Sequence, residues 1–272
     1  MTEAEPHLDL FRALPGPLAI RDAQDLMTYP FFALSKSKRI APITFKTSAV
    51  RVNVEGTQQH GIATIWDADI LIWMTSQVVE ARDAGLPTSR RVGATPREIL
   101  TFIRRGTSVR DYDRLKAALD RLQSTSVVTS IRQVSARRMH RFSWINEWKE
   151  LATESGRPNG LELILPDWLY AAITDRTRVL TIHPGYFELT GGIERWLYRL
   201  VRKHAGSQPR GWRFDIPFLH QKSGSLARLS DFAIDMRHIA ERQSLPGYEI
   251  GLIRSATTES LSFHPRAAQS TR

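Results

Sequence analysis

The periodicity of apolar residues changes several times along the chain, and each change predicts an element of secondary structure. Apolar positions two apart over residues 43–54 and 60–66 predict a β-hairpin that turns at Glu55-Gly56. Spacings of three and four residues then predict a helix with Asp67 as its N-cap. The apolar positions of this helix are Ile70, Trp73, Met74, Val78 and Ala81.

Two further helices and a hairpin are predicted next. Thr95-Pro96-Arg97-Glu98 has the residues of a capping box and predicts a short helix over 99–105, which Gly106 ends. A longer helix over 109–123 has an apolar stripe at Tyr112, Leu115, Leu119 and Leu122. Strands over 126–132 and 139–148 form a closing hairpin. This order of elements is typical of a winged-helix domain, in which the hairpin is the wing.

The second half of the chain repeats this order after residues 150–160, which have the composition of a linker. The predicted elements are strands over 161–165 and 179–182, helices over 193–201, 216–221 and 226–243, and a hairpin over 248–253 and 260–264. A shift of 117 positions superimposes the stripes of the two long helices, with Leu115 on Phe232 and Leu119 on Met236. We interpret the repeat as two copies of one DNA-binding unit.

The predicted fold is therefore α+β, with two tandem winged-helix domains, each a helix-turn-helix plus a β-hairpin wing. The predicted divisions are an acidic flexible arm over 1–30, a first domain over 31–149, a linker over 150–160, a second domain over 161–266 and a tail over 267–272.

Charge indicates a polyanionic partner. The 272 residues include 38 Lys+Arg and 28 Asp+Glu, a formal net charge of +10, and such a balance is typical of proteins that bind nucleic acid. Residues 1–28 differ from the rest of the chain because they are acidic, with five acids and two arginines. The absence of cysteine excludes disulfides and thiolate metal sites. No signal segment or membrane span is predicted, so we expect a cytoplasmic protein.

The first predicted domain carries the more basic surface. Its candidate DNA contacts on the 109–123 helix are Arg110, Arg114, Lys116 and Arg121. Arginine offers a bidentate donor pair to guanine or to phosphate, although interspersed aspartates also fit an ordinary solvated face. The predicted wing adds Arg132, Arg137, Arg138, His140 and Arg141. These cations are suited to phosphates, or alternatively they protect an exposed β edge.

The second predicted domain is less basic. Its candidate DNA contacts are Arg228, Arg237, His238, Arg242 and Arg254. Several acids lie among them, and His238 is equally well interpreted as a groove contact or a surface histidine. Residues 35–39, Ser-Lys-Ser-Lys-Arg, are equally well interpreted as a DNA-contacting arm or a solvated loop.

Signatures of catalysis are missing from the sequence. It has no G-x4-G-K-[ST] loop, and its eight histidines form no H-x-H or H-E-x-x-H pair. We therefore expect no enzymatic activity, no cofactor and no metal. The tryptophans at 66, 73, 196 and 212 fit core positions better than ligand platforms.

Several segments resemble the replication initiator protein A family of bacterial plasmids. They are Phe31-Phe32-Ala33-Leu34-Ser35-Lys36-Ser37-Lys38-Arg39, Thr64-Ile65-Trp66-Asp67-Ala68-Asp69-Ile70-Leu71-Ile72-Trp73, and the blocks 93–103, 115–122, 185–200 and 225–239. The resemblance spans roughly residues 30–265. It implies binding of double-stranded DNA at repeated origin sequences, opening of an A·T-rich segment, and recruitment of a host initiator and the replicative helicase.

Other functions stay open from the sequence. A winged-helix transcriptional repressor would share every feature except the family resemblance. A recombinase or nuclease would need an activated nucleophile, which the sequence does not indicate. A monomer–dimer equilibrium is also left open.

Overall fold

A computed structural model describes residues 9–134, 138–155, 158–255 and 258–266, and the fold is mixed α+β. The helices are α1 (Gln24–Thr28), α2 (Ala68–Asp83), α3 (Pro96–Phe102), α4 (Val109–Ser124), α5 (Asp167–Thr174), α6 (Gly192–Ala205), α7 (Ile216–Ser223) and α8 (Leu229–Arg242). The strands are β1 (Phe11–Arg12), β2 (Arg21–Ala23), β3 (Ile43–Lys46), β4 (Arg51–Glu55), β5 (Arg91–Ala94), β6 (Ser126–Thr129), β7 (His140–Ser143), β8 (Glu147–Ala152), β9 (Pro158–Ile164), β10 (Val179–Thr181), β11 (Trp212–Asp215), β12 (Tyr248–Arg254) and β13 (Glu259–Pro265).

Within the described ranges these strands form four sheets. Their orders are β1-β5-β9-β8, β3-β4-β6-β7, β2-β10 and β11-β13-β12. Strand β1 pairs with β5 in parallel, and the other pairs are antiparallel. We call residues 9–164 the first half and residues 165–266 the second half.

Helix α2 is the central element of the fold. Thirteen of its 16 residues are buried, so almost its whole circumference is covered rather than one stripe. Asp67 lies at the N-cap position as predicted, but its side chain does not cap the helix. The carboxylate accepts hydrogen bonds from the Thr64 backbone N–H at 2.7 Å and from Arg121 at 2.8 Å. The predicted side-chain cap is therefore wrong.

Helices α3 and α4 begin as the sequence indicates. Thr95 Oγ1 accepts a bond from the Glu98 backbone N–H at 3.2 Å, and Glu98 Oε2 accepts one from the Thr95 N–H at 2.7 Å. Ser108 and Asp111 form a second capping box at the start of α4. These reciprocal bonds satisfy N–H groups that a helix start leaves unpaired, so residues 103–107 separate two helices.

The two halves repeat one arrangement. In each half a long helix (α2 or α6) precedes a strand (β5 or β11), a short helix (α3 or α7), another helix (α4 or α8) and a hairpin. The second strand of that hairpin pairs with β5 in the first half and with β11 in the second. Leu115 and Leu119 are buried on α4, as Phe232 and Met236 are on α8, in agreement with the shift of 117 positions.

The predicted linker over 150–160 is wrong. Its two ends lie in β8 and β9, where Glu150 is opposite Leu161 and Leu151 is opposite Gly160. Together β8 and β9 form the hairpin that pairs with β5. Polar residues and glycine favour a hairpin turn as much as a linker, so composition alone could not separate the two. The segment beginning at 161 consequently belongs to a sheet of the first half.

The hairpin predicted to close the first half forms, but it is not the hairpin that pairs with β5. Strands β6 and β7 do pair, but their sheet partners are β4 and β3 rather than β5. The strand predicted over 139–148 ends at Ser143, and the buried residues Trp144 and Ile145 precede β8. One segment predicted as a single strand thus supplies residues to two different sheets.

The predicted hairpin over 43–66 has the wrong partner strand. Strand β3 pairs with β4, with Ile43 opposite Val54, so the turn lies over 47–50. Thr47 Oγ1 accepts a hydrogen bond from the Val50 backbone N–H at 3.0 Å and closes this turn. Residues 60–66 instead contact the segment over 31–39, where Ile62 N–H donates to the Arg39 carbonyl at 2.8 Å.

The predicted flexible arm over 1–30 is wrong for residues 9–30. These residues supply β1, β2 and α1. Asp22 is fully buried, and Asp25 pairs with Arg132 at 3.1 Å. Two of the acids that made this segment appear separate, Asp22 and Asp25, are thus partners of cations in the basic body of the chain.

Buried ion pairs join the two halves. Arg199 of α6 contacts Asp22 at 2.7 Å, and both side chains are at most 1% exposed. Arg195 of α6 contacts Asp69 of α2 at 2.7 Å, with 2% and 0% exposure. Pairs this deep are costly to leave half-made, so they fix the two halves relative to each other.

We expect His204 to make the protein sensitive to acid. Its ring lies 5.4 Å from Trp212 and 5.3 Å from Phe214, and burial lowers its pKa from 6.5 to about 4, with Lys203 and Lys222 adding to the effect. The unfolded chain therefore binds one more proton than the folded chain between these pH values. Stability is full above pH 6.5 and falls as the pH drops towards 4.

The measurement is urea unfolding at pH 7.5 and 4.5 for the wild type and for His204→Phe. The variant should lose about 1–2 kcal/mol less unfolding free energy over this interval, a range reduced for the partial exposure of the ring. Equal losses in the two proteins would contradict the assignment to His204.

Candidate nucleic-acid interface

Helix α4 presents a basic flank beside its buried face. Leu115, Ala118, Leu119 and Leu122 are buried, whereas Arg110 and Arg114 are exposed. Hydrogen bonds from the Ser108 side chain and backbone lower the pKa of Asp111, so the capping carboxylate is charged near neutral pH. The helix start is thereby fixed, and Arg110 and Arg114 project from its first two turns.

The predicted contacts on α4 have different surroundings. Arg110 is exposed, and Arg114 is 64% exposed with its Nη1 only 3.3 Å from Asp111. Arg121 is 28% exposed, and its guanidinium makes a bidentate pair with Asp67 at 2.7 and 2.8 Å, which raises its pKa. Lys116 pairs with Glu150 of β8 at 2.5 Å. Arg110 and Arg114 are thus the members of the row most available to a ligand.

A cleft of about 640 Å³ lies between α4 and the segment over 35–62. Its charged and titratable lining residues are Lys36, Lys38, His60, Asp67, Arg105, Asp111, Arg114 and Arg121. Cations outnumber carboxylates in this lining, five to two with histidine neutral. The cleft is therefore suited to an anion.

The sequence left two interpretations for residues 35–39, a DNA-contacting arm or a solvated loop. In the structure the cations of this segment have different surroundings. Lys36 and Lys38 line the cleft. Arg39 is not among the lining residues of the cleft. Its guanidinium instead donates to the backbone carbonyls of Ala41, Pro42 and Gly224 at 2.6–2.9 Å. Burial lowers the pKa of Arg39, in keeping with a structural position.

The predicted DNA contacts on the hairpin interpreted as the first wing differ in their exposure to solvent. Arg138 and Arg141 are exposed, and Arg137 lies outside the described residues. Arg132 is only 16% exposed. Its guanidinium stacks on the Trp168 ring at 3.8 Å, donates to the Trp168 carbonyl at 2.6 Å and pairs with Asp25. The structure accordingly explains Arg132 by internal contacts, which do not favour its predicted role at DNA.

The second half places its predicted contacts among acids. Arg237 and Arg254 both pair with Glu259, at 2.6 and 3.1 Å, and Arg242 pairs with Glu194 at 3.3 Å. Arg228, at the N-cap position of α8, and His238 are exposed. The outward face of α8 also exposes Asp231, Ile234, Asp235 and Glu241. This face is less basic than that of α4.

Arg105 is a cleft residue that the sequence did not single out. Its Nη2 lies 3.1 Å from Asp69, the same carboxylate that Arg195 holds. The only available signal was the basic pair Arg104-Arg105 directly before Gly106. Nothing in the local sequence indicates that Asp69, 36 positions earlier, shares this location.

The comparisons with known proteins assign the family. A sequence profile described as replication initiator protein A matches residues 21–250. The chain belongs to the replication initiator protein A family. A candidate replication protein of Wigglesworthia glossinidia brevipalpis is 31% identical to this family member over 228 residues, which are 82% of each chain.

Solved structures support the fold of this replication initiator protein A family member. A selenomethionine crystal structure of domains 2 and 3 of RctB aligns with 87% of this chain and 95% of its own, at a TM-score of 0.64 and 15% identity. A second structure of RctB domains 2–3 aligns with 90% of this chain and 97% of its own, at a TM-score of 0.58 and 14% identity. At such identities the likeness shows the α+β fold alone.

Two further features of the described residues concern metal ions and membranes. Among the described residues, no three His, Asp or Glu side chains come close enough together to hold a metal ion. None of the helices in the described part of the chain has the length and hydropathy required to cross a bilayer.

Proposed function

We propose that this protein binds double-stranded DNA at the origin of its replicon and initiates replication there. The observation that carries the proposal is the exposed Arg110–Arg114 flank of α4, which borders a cationic cleft in a chain of the replication initiator protein A family. Arginines on one helix flank can donate to base edges in the major groove while neighbouring cations neutralise phosphates.

We further propose that each half is a winged-helix unit. The repeated order of helix, strand, two helices and hairpin supports this proposal. On this proposal α4 and α8 are the second helices of the helix-turn-helix pairs, and β8–β9 and β12–β13 are the wings. Hairpin β6–β7 is then an additional element of the first unit that presents Arg138 and Arg141.

We assign sequence recognition mainly to the first unit. On α8 three carboxylates share the outward face with Ile234, and DNA phosphates would repel those carboxylates. On α4 the basic flank adjoins the cleft that Arg114, Lys36, Lys38 and Arg105 line together. Family membership also supports the proposal that the bound protein opens the duplex and recruits host replication proteins, with no catalytic step of its own.

The test is a salt titration of the full-length protein on duplex DNA from beside its own gene. We expect protection of directly repeated sites in a footprint, and an affinity that falls steeply as salt rises, because each neutralised phosphate releases counterions. A scrambled duplex should bind more weakly with a similar salt dependence. An affinity that stays flat between low and moderate salt would refute the proposal.

A further inference from the structure

The segment over 35–38 forms an ordered wall of the cleft opposite α4. On its N-terminal side, Ala33 N–H donates to the Ala63 carbonyl at 2.9 Å, and Ile65 N–H donates to the Ala33 carbonyl at 2.9 Å. On its C-terminal side, the three carbonyl contacts of Arg39 hold the chain. Lys36 and Lys38 are therefore presented on a segment that is anchored at both ends.

The glycine at position 61 allows this wall to approach the neighbouring turn. Gly61 has φ +74°, and a Cβ at this position would lie 2.6 Å from Lys38 Cγ and 2.9 Å from the Arg39 carbonyl oxygen. Lys38 Nζ donates to the Gln58 carbonyl of the same turn at 3.0 Å. Contacts with the turn over 57–61 thus restrict the Lys38 side chain. Lys38 therefore loses less conformational freedom on binding a ligand than an unrestrained lysine would.

The two carboxylates of the cleft are already engaged. Asp67 is held by Arg121 and the Thr64 backbone, and Asp111 is held by Ser108 and Arg114. Lys36 and Lys38 make no ion pair within the described residues. Their charge is therefore available to a phosphate.

The cleft favours phosphate over a nucleic-acid base. Trp66 has the largest aromatic ring in its lining, beside the smaller ring of His60, and is the better platform on which a base could stack. Lys36 Nζ lies 5.2 Å from the centre of the Trp66 ring, in a cation–π contact that covers it. A strand that entered with its bases towards the ring would have to displace this lysine, whereas a strand that presents phosphates would meet it directly.

We propose that Lys36 and Lys38 hold the phosphate backbone of duplex DNA on the side of the cleft opposite α4, while Arg110 and Arg114 contact the adjacent groove. This inference rests on the function proposed above and assigns a second contact surface to the same site. The two lysines supply affinity without reading sequence, because phosphates are the same at every base pair.

The test compares two double variants in salt titrations on the origin duplex. Lys36→Gln with Lys38→Gln removes the wall's charge, and Lys46→Gln with Arg51→Gln removes two exposed cations of hairpin β3–β4 outside the cleft. We expect the wall variant to reduce the slope of log affinity against log salt by about two units, and the control to change it by less than one. Both should keep the wild-type preference for cognate over scrambled duplex.

Ethylation interference on the same duplex locates the contacts. Phosphates whose ethylation weakens the wild type, but no longer affects the wall variant, should flank the bases that α4 protects. If the wild type binds its site specifically and the wall variant keeps the wild-type slope, the inference falls and the proposed function stands. If the wild type does not bind the duplex specifically, both fall. Tighter binding of the single strand than of the duplex, lost in the wall variant, would overturn the commitment to duplex phosphates.

Discussion

Replacing Asp22 by alanine is expected to destabilise the protein by about 3–5 kcal/mol, because it leaves the Arg199 guanidinium buried without its carboxylate. Both side chains are at most 1% exposed, and the pair makes two hydrogen bonds of 2.7 and 3.0 Å. Arginine cannot lose its charge at accessible pH, so the cation cannot escape by titration. The measurement is the free energy of unfolding in urea.

The reverse deletion, Arg199→Met, should cost less. Burial raises the pKa of Asp22, and without Arg199 the carboxyl can take up a proton and remain buried as a neutral group. Because its folded pKa lies above its unfolded value, the variant should regain stability as the pH falls and lose it as the pH rises. The double variant Asp22→Leu with Arg199→Met should be closer to wild type than Asp22→Ala. Equal losses for all three variants would contradict this account.

Replacing Arg110 and Arg114 together by alanine is expected to abolish most of the preference for the cognate site. A well-made bidentate contact to a base contributes about 1–3 kcal/mol of discrimination, so two such contacts change the specificity ratio by one to four orders of magnitude. Both side chains are exposed and neither is needed for the buried face of α4. The measurement is the ratio of affinities for cognate and scrambled duplexes at fixed salt.

The matched control for this result is the pair Arg138→Ala with Arg141→Ala on hairpin β6–β7. These arginines are also exposed, and we expect them to meet phosphates, so their loss should weaken binding to both duplexes alike. Loss of specificity in this control, with specificity kept when Arg110 and Arg114 are removed, would reverse the roles of helix and hairpin. If neither pair matters, recognition would move to Arg228, Arg237, His238 and Arg242 on α8.

The local sequence determined the helices of each half. The capping boxes at Thr95 and Ser108 and the apolar stripe through Leu115 and Leu119 act over three or four residues, within reach of one helical turn. For the same reason the shift of 117 positions identifies the repeat from the sequence alone. The exposed flank with Arg110 and Arg114 follows directly from that stripe, since it is the remaining side of the helix.

The pairing of strands was decided by tertiary structure. A run of alternating residues states that a strand exists but not which strand lies beside it, and both β6–β7 and β8–β9 could have closed the first half. This ambiguity explains two wrong predictions. The first hairpin turns near Thr47 and not at Gly56, and a hairpin occupies the segment predicted as a linker. Hairpin turns and linkers share one composition, so only the partner strands distinguish them.

Tertiary structure also decided which charged side chains are exposed and which are paired within the protein. Arg110 and Arg138 are exposed, whereas Arg121 and Arg132 pair with Asp67 and Asp25, which lie 54 and 107 positions away in sequence. A sequence shows how many cations and carboxylates a chain has, and here it correctly indicated an excess of cations. Which cations are neutralised internally depends on distances of 3–4 Å between residues far apart in the chain. The sequence therefore determined that the protein is basic, and the tertiary structure determined where that charge is available.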